Sequence, residues 1–363
     1  MTMSFSHQTL GQRVHFGVGN LTTDVRTEAK RLDAQEILLI ASGSAEPAAD
    51  DLHATLRIAH RLDGARQHVP VEDVELACDA ATQAGADLIL CVGGGSAIGL
   101  GKAVALKTRA PIIAVPTTYA GSEATNVWGV TEAGAKATGI DDVVLPRSVV
   151  YDAELVRDLP AELAGASGMN ALAHCIDSFW APGADPLNSL WAEEAIRALR
   201  RGLAQLAEGS IHSLEASQQL QYGAYLAATA FASAGSGLHH KICHVLGGAF
   251  GLPHAQTHAV MLPHVLAFNL PAAPEAGERI AAALGAEGPI IGLDRLRTQI
   301  DVPRALRDHG LKEADLQRAA QLILDVVPAS NPRRMTPADA TALIRAAWSG
   351  ADPAASPERP QQS

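Results

Sequence analysis

Long apolar runs and an excess of basic residues are both missing from this sequence. It has no stretch of about 20 uninterrupted apolar residues, and its start lacks a basic segment followed by an apolar one, so we expect neither a membrane span nor a signal peptide. Its 28 Lys and Arg are outnumbered by 39 Asp and Glu, which argues against a nucleic-acid partner because phosphate binding needs a basic face. We therefore expect a cytoplasmic protein without a nucleic-acid or membrane partner.

Cysteine is also scarce. The four cysteines are widely spaced and none belongs to a CxxC pair, so we expect free thiols buried in the fold.

The chain is long enough for two domains at 363 residues, and its 47% hydrophobic content can fill a large core.

The order of the segments predicts an α/β half followed by a helical half. Short apolar runs typical of buried parallel strands occur at 36–41, 87–92 and 111–116, with helix-like segments at 50–62 and 71–84. Later, long Ala- and Leu-rich amphipathic segments dominate, including 188–207, 217–234 and 314–326. We predict an α/β domain over residues 1–158, an all-helical domain over 159–350 and a disordered tail over 351–363.

Histidine is concentrated in one segment. Residues four apart lie on one helix face, so His240 pairs with His244 and, upstream, Asn170 pairs with His174. A single histidine there could be a hydrogen-bonded core residue, but His239, His240, His244, His254 and His258 together favour a functional cluster. Such a cluster suits either a divalent metal or a pocket that handles protons. Asn170 weighs against a metal, because an amide is a weaker ligand than a carboxylate.

A glycine-rich turn follows the second apolar run and opens a helix. Glycines let the backbone approach a pyrophosphate, and a helix start supplies N–H donors for it, although a tight turn alone would also explain them. The next run leads into a row of hydroxyls, at the carboxyl edge of the same sheet, where open α/β folds bind ligands. The predicted cofactor-binding residues are Gly93, Gly94, Gly95, Ser96, Thr117, Thr118 and Ser122.

Taken together, these segments resemble the iron-dependent alcohol dehydrogenase superfamily, and most closely its maleylacetate reductase branch. Further segments that carry the resemblance are 138–146, 151–152, 167–174, 237–248, 252–260 and 262–265. The resemblance implies an N-terminal nucleotide-binding α/β domain, an all-helical C-terminal domain, an active site in the cleft between them, and a homodimer.

The resemblance also implies roles for individual residues. Asn170, His174, His240 and His254 match the metal-ligand positions of the metal-dependent relatives, and His244 matches a further active-site histidine. Asn170 stands where those relatives carry Asp, a change that marks the branch and implies catalysis without metal. The histidines are then interpreted as a proton-handling, oxyanion-stabilising pocket.

In this branch NADH or NADPH reduces the carbon–carbon double bond of maleylacetate, a small dicarboxylate, to give 3-oxoadipate in aromatic compound degradation. Positive character at His239 and Lys241 fits such a substrate, although Lys241 could equally be a solvated helix residue. Ser42 follows the first strand with no acidic residue beside it, which predicts that both NADH and NADPH are accepted. The alternatives are a metal-dependent alcohol or glycerol dehydrogenase and a non-catalytic nucleotide sensor, which would not need the clustered histidines.

Overall fold

A six-stranded parallel sheet dominates the N-terminal half of the chain. It is seen in a computed structural model that describes residues 4–132, 135–207 and 213–353. The strand order is β1-β8-β5-β4-β2-β3, and β6 and β7 form a separate antiparallel hairpin. The strands are β1 (Arg13–Gly17), β2 (Ile37–Ala41), β3 (Ile58–Asp63), β4 (Leu88–Gly93), β5 (Ile112–Pro116), β6 (Val127–Glu132), β7 (Ala135–Ile140) and β8 (Ser148–Asp152).

Helices cover both faces of this sheet. They are α1 (Leu21–Arg31), α2 (Glu46–Thr55), α3 (Val71–Gln83), α4 (Gly95–Thr108) and the short α5 (Glu154–Arg157). Successive side chains of β2 point to opposite faces, so Leu38 and Ile40 pack with α3 and α4 while Leu39 packs with α1 and α2. This double burial explains why β2, β4 and β5 are continuous apolar runs.

The C-terminal half is helical. Its helices in the described residues are α6 (Ala161–Ser178), α7 (Pro186–Ala207), α8 (Leu214–Ala234), α9 (Leu238–Phe250), α10 (His254–Asn269), α11 (Pro274–Leu284), α12 (Pro289–Gln299), α13 (Leu316–Asp325) and α14 (Pro337–Ser349). Helix α6 is buried on all sides from Ala164 to Ser178. Small residues allow this close packing, since a Cβ at Gly168 would lie 2.7 Å from Leu203 of α7.

The predicted fold class is confirmed, as are the three predicted strands, which are β2, β4 and β5. The predicted helix over 50–62 is wrong, because α2 ends at Thr55 and β3 begins at Ile58. Strand β3 is one of the two outer strands of the sheet and is only partly buried, so its polar residues His60 and Arg61 interrupt the apolar pattern that marks a buried strand.

Other expectations have mixed outcomes. All four cysteines are free thiols, with Cys78 half-buried and the other three buried. None of the helices in the described ranges combines the length and apolar composition needed to cross a membrane. The last strand ends at Asp152 and α6 begins at Ala161, while the domain limits stay a prediction. Residues 354–363, most of the predicted tail, lie outside the described residues.

Candidate active site

The glycine-rich turn lies at the carboxyl edge of the sheet. Strand β4 ends at Gly93, α4 begins at Gly95, and Gly94 between them makes no side-chain cap. The N–H groups of the first helical turn have no partner within the helix and lie at its positive end. A Cβ built on Gly95 meets nothing within 4 Å, so the backbone here borders open space that a diphosphate could enter.

The other predicted cofactor residues surround this turn. A Cβ on Gly93 would lie 2.8 Å from Ser42 Oγ, and one on Gly94 would lie 2.9 Å from Thr118 Cγ2. The Thr117 N–H donates to the Gly93 carbonyl at 3.1 Å. The structure therefore brings Ser42, the glycine-rich turn with Ser96 in the first turn of α4, and the segment after β5 to one edge.

Lys102 fixes the loop that follows this edge. Its buried ammonium donates to the carbonyls of Ser122 (2.6 Å), Thr125 (2.8 Å) and Val127 (2.9 Å) and to Thr125 Oγ1 (3.0 Å). Burial lowers the pKa of Lys102 to about 7. Lys102 thus fixes the carbonyl of Ser122, a predicted cofactor residue, by a hydrogen bond.

Imidazoles from three helices form a cluster beside this edge. His174 of α6 stacks on His240 of α9 with ring centroids 4.7 Å apart. His254 and His258 of α10 lie 4.3 Å apart, and His258 lies 4.9 Å from His240. His244 of α9 stacks on His254 at 6.0 Å. His174, His240 and His258 are buried. His244 and His254 are exposed, so the cluster opens to solvent at that pair.

Two observations show that the predicted cofactor edge lies close to helix α6, which carries His174. A Cβ on Gly121 would lie 3.5 Å from Cε1 of His174. The Tyr119 N–H donates to Ser167 Oγ on α6 at 2.9 Å. The predicted cofactor loop and the predicted catalytic cluster are therefore neighbours where the two halves of the chain meet.

The buried imidazoles are neutral. Burial is the largest cause that lowers the pKa of His174, His240 and His258, and neighbouring imidazoles add to it. His240 Nδ1 lies 2.8 Å from Oδ2 of Asp177, a fully buried carboxylate on α6. Sequence reasoning missed Asp177; its place three residues after His174 on one helix was the available signal.

The expected positive character of His239 is wrong. Its side chain is buried, its Nε2 lies 2.9 Å from His258 Nδ1, and burial lowers its pKa to about 3. A neutral, enclosed ring cannot offer a charge to a substrate. Lys241 is half-buried on α9, and its ammonium makes no ion pair among the described residues.

The residues at the metal position that the resemblance implies fit a cation. Within the described part of the chain, Asn170 Oδ1, His174 Nδ1 and His240 Nε2 are buried without a hydrogen-bond partner. Such atoms require an explanation, and a bound ion would satisfy them. With His254 they offer three nitrogens and one amide oxygen, so the predicted absence of metal gains no support here. A second buried group, His239, Cys243 and His258, has its ligand atoms within 4.8 Å of one another.

Comparison with known proteins decides the family. Residues 11–153 match the family model for iron-containing alcohol dehydrogenase, and residues 164–348 match that for the C-terminal part of the Fe-containing alcohol dehydrogenase family. The chain belongs to the iron-containing alcohol dehydrogenase family. It is 45% identical over 347 residues to maleylacetate reductase 2 of Cupriavidus pinatubonensis, which covers 94% of this chain and 96% of that relative.

Solved structures agree with this assignment. An iron-containing alcohol dehydrogenase from Corynebacterium glutamicum is 50% identical, with a TM-score of 0.95 over 98% of this chain and 99% of its own. Maleylacetate reductase from Agrobacterium tumefaciens is 36% identical, with a TM-score of 0.92 over 97% and 100%. The predicted family, its maleylacetate reductase branch and the oxidoreductase class are confirmed.

Proposed function

We propose that this enzyme reduces maleylacetate to 3-oxoadipate with NADH or NADPH. The observation that carries the proposal is the closeness of Gly121, in the loop after β5, to His174, since an added Cβ at Gly121 would lie 3.5 Å from that ring and the predicted cofactor edge is therefore beside the histidine cluster. Maleylacetate reductases at 40% and 45% identity over nearly the whole chain support the choice of substrate.

The chemistry needs hydrogen-bond donors more than it needs a strong Lewis acid. The reduced nicotinamide, when bound, supplies a hydride to the carbon of the double bond far from the ketone. Negative charge then collects on the ketone oxygen of the substrate, and this enolate must be stabilised and protonated on carbon. Donors that are already in place stabilise such an oxyanion without reorganisation.

The two exposed histidines are the proposed donors. His240 Nδ1 faces Asp177, so the neutral ring keeps its proton there and presents an Nε2 lone pair, which accepts rather than donates. His244 and His254 lie at the open side of the cluster, where a substrate oxygen can reach them. The Asn170 amide adds N–H donors beside His174.

Lys241 is the proposed binding partner of a substrate carboxylate. Lys241 is a half-buried residue of α9, one residue from His240, and its ammonium makes no ion pair among the described residues. A carboxylate of the dianionic substrate would supply the missing counter-charge. The neutral His239 takes no part in this recognition.

Dual cofactor use is the proposed consequence of Ser42. In dinucleotide-binding folds a carboxylate after the second strand of the unit holds the ribose hydroxyls and disfavours a 2′-phosphate. Here β2 is followed by Ser42, Gly43 and Ser44, which leaves no carboxylate at this point.

A metal is not required by the proposed reaction. Asn170, His174, His240 and His254 would hold zinc or iron, and the ion would polarise the substrate carbonyl. All four donors are neutral, and hard or borderline dications prefer a set that includes a carboxylate. We therefore propose weak metal binding and turnover that persists after chelation.

Two further parts of the proposal are a cytoplasmic location and a homodimer. Strand β1 is an outer strand of the sheet, hydrogen-bonded to β8 on one side, and Phe16 at its end is 45% exposed. An open edge strand is a template for pairing with a second copy. Light scattering should give a mass about twice the 37.8 kDa of one chain.

The test of the reaction follows NADH absorbance with freshly prepared maleylacetate beside a panel of ketones, aldehydes and glycerol. We expect rapid oxidation of NADH with maleylacetate alone. Turnover of the simple carbonyls without turnover of maleylacetate would contradict the proposal and favour a metal-dependent alcohol dehydrogenase. The relative from Corynebacterium glutamicum carries the name iron-containing alcohol dehydrogenase.

A further inference from the structure

A single buried carboxylate organises the start of the helix that carries His240. Asp177 of α6 is fully buried and accepts four hydrogen bonds. Its Oδ1 accepts from the His239 N–H (3.2 Å) and from Trp180 Nε1 (3.3 Å). Its Oδ2 accepts from the His240 N–H (3.0 Å) and from His240 Nδ1 (2.8 Å). Three of these four donors belong to the first turn of α9.

This arrangement replaces an ordinary helix cap. The first N–H groups of a helix lack partners within it, and a side chain at the N-cap usually supplies one. The N-cap of α9 is Gly237, which has no side chain to do so. Asp177 supplies the acceptors from another helix, and its negative charge lies at the positive end of the α9 dipole.

Gly237 is also what allows the carboxylate to approach. A Cβ on Gly237 would lie 2.5 Å from Oδ1 and 2.6 Å from Cγ of Asp177. The φ of Gly237 is −86°, which other residues adopt freely, so backbone conformation does not demand glycine here. Close contact with Asp177 does.

The carboxylate also decides which nitrogen of His240 faces the site. Both oxygens of Asp177 accept from backbone N–H groups, and these hydrogen bonds favour the ionised carboxylate against burial, which raises its pKa. With Asp177 ionised, the proton between it and the ring is assigned to Nδ1 of His240. Nε2 of a neutral His240 therefore carries a lone pair. That atom is buried and has no partner among the described residues.

We infer that Asp177 is the positioning residue of the site: it docks the first turn of α9 on α6 and holds His240 in its Nδ1–H tautomer, and Gly237 is required for it to do so. The inference rests on the proposed function only in taking His240 as a site residue. Its test reads the ring directly and does not depend on which substrate is reduced.

The experiment is long-range proton–nitrogen NMR of the full-length protein labelled with 15N-histidine, with the His240 signal assigned by its loss in His240→Gln. We expect the Nδ1–H pattern in the unsubstituted protein. Asp177→Asn should change it to the Nε2–H pattern, because an amide N–H facing Nδ1 turns that nitrogen into an acceptor. Trp180→Phe is the matched control, since it removes one donor from Oδ1 and leaves Oδ2 intact, and its pattern should not change.

Gly237→Ala gives a second route to the same result. It leaves both Asp177 and His240 in place but forces them apart, so His240 should lose its fixed Nδ1–H tautomer. At a saturating concentration of maleylacetate, Asp177→Asn should lower kcat about 10- to 100-fold, because loss of an orienting partner typically has an effect of this size. The affinity for NADH should be nearly unchanged.

An Nε2–H pattern in the unsubstituted protein, or an Nδ1–H pattern that survives both Asp177→Asn and Gly237→Ala, would overturn the inference. If Asp177→Asn does not fold, the Gly237→Ala spectrum decides alone. A protein that shows the expected tautomers but does not reduce maleylacetate would contradict the proposed function and leave the positioning role established.

Discussion

Gly121, in the loop after β5, lies so close to His174 of α6 that an added Cβ would touch the imidazole ring. A Cβ at Gly121 would lie 3.5 Å from Cε1 of His174 and 2.7 Å from the Cβ of Ala228, and the residue has a φ of +79°. This one position therefore joins the α/β half to the helical half at the histidine cluster. Any side chain here must strain the backbone and also separate the two halves.

Gly121→Ala should lower the free energy of unfolding by more than backbone strain alone. Gly64→Ala is the matched control, because Gly64 has a φ of +77° and nothing within 4 Å of an added Cβ. Positive φ costs alanine about 1–2 kcal/mol in both variants, and overlap with Ala228 should add about 1–3 kcal/mol to the first. Urea denaturation measures the difference. Equal losses would show that the contact across the halves contributes nothing to stability.

Gly95→Val should weaken NADH binding. The valine side chain would enter the open space beside the first turn of α4 that we assign to the diphosphate. Gly248→Val is a suitable control, because Gly248 is also within a helix and also has open space around its Cβ. Fluorescence titration should show a large rise in the Kd for NADH in the first variant and little change in the second. Unchanged NADH affinity in Gly95→Val would refute the phosphate assignment.

Metal affinity should follow the oxygen donor at position 170. We expect zinc and iron to bind most tightly to Asn170→Asp, less tightly to the unsubstituted protein and least to Asn170→Ala, since a carboxylate is the better ligand. Metal analysis after equilibrium dialysis gives this order. Activity of the unsubstituted enzyme should persist in EDTA. A tightly bound ion whose removal abolishes turnover would show that the amide is a sufficient ligand and that catalysis needs the metal.

Much of this site can be predicted from local sequence, because its geometry follows from short spacings. The turn after β4 is a local feature, and so are the helical pairs that contain His174 and His240. Asp177 is different, since its partners on α9 lie 62 and 63 residues later, and its place one helical turn after His174 indicates a position near the site but not those partners. The error at His239 has a similar cause: its neighbour His240 faces the site, while His239 itself faces His258 in the interior.

Lys102→Met should destabilise the loop next to the cofactor edge. The substitution leaves the carbonyls of Ser122, Thr125 and Val127 without their shared donor, at a cost on the order of 3 kcal/mol. Lys107→Met is the matched control, because it removes the same charge from an exposed position on the same helix. Denaturant unfolding of both variants tests the expectation, and equal stabilities would contradict it.

The same variant should reveal the pH dependence that Lys102 imposes. Burial lowers its pKa in the folded protein to about 7 from an ordinary value of 10.5. Between those values the unfolded chain binds more protons, so this group makes the unfolding free energy rise with pH. The stability deficit of Lys102→Met should therefore grow as the pH is raised from 7 toward 10. A deficit that shrinks over this range would contradict the lowered pKa of the buried Lys102 amine.

Substitutions of His244 and His254 should mainly lower kcat, whereas substitution of Lys241 should mainly raise KM. Loss of an oxyanion donor typically costs about 100-fold or more in kcat, so His244→Ala and His254→Ala should depress kcat strongly while NADH affinity changes little. A carboxylate contact is made equally in the ground state and the transition state, so Lys241→Gln should act mainly on the KM for maleylacetate. Lys107→Gln, with an exposed lysine on α4, is the charge control and should change neither constant. If Lys241→Gln leaves KM unchanged, another cation must recognise the substrate. If both histidine variants keep full kcat, the enolate is stabilised elsewhere, and the Asn170 amide is the next donor to test.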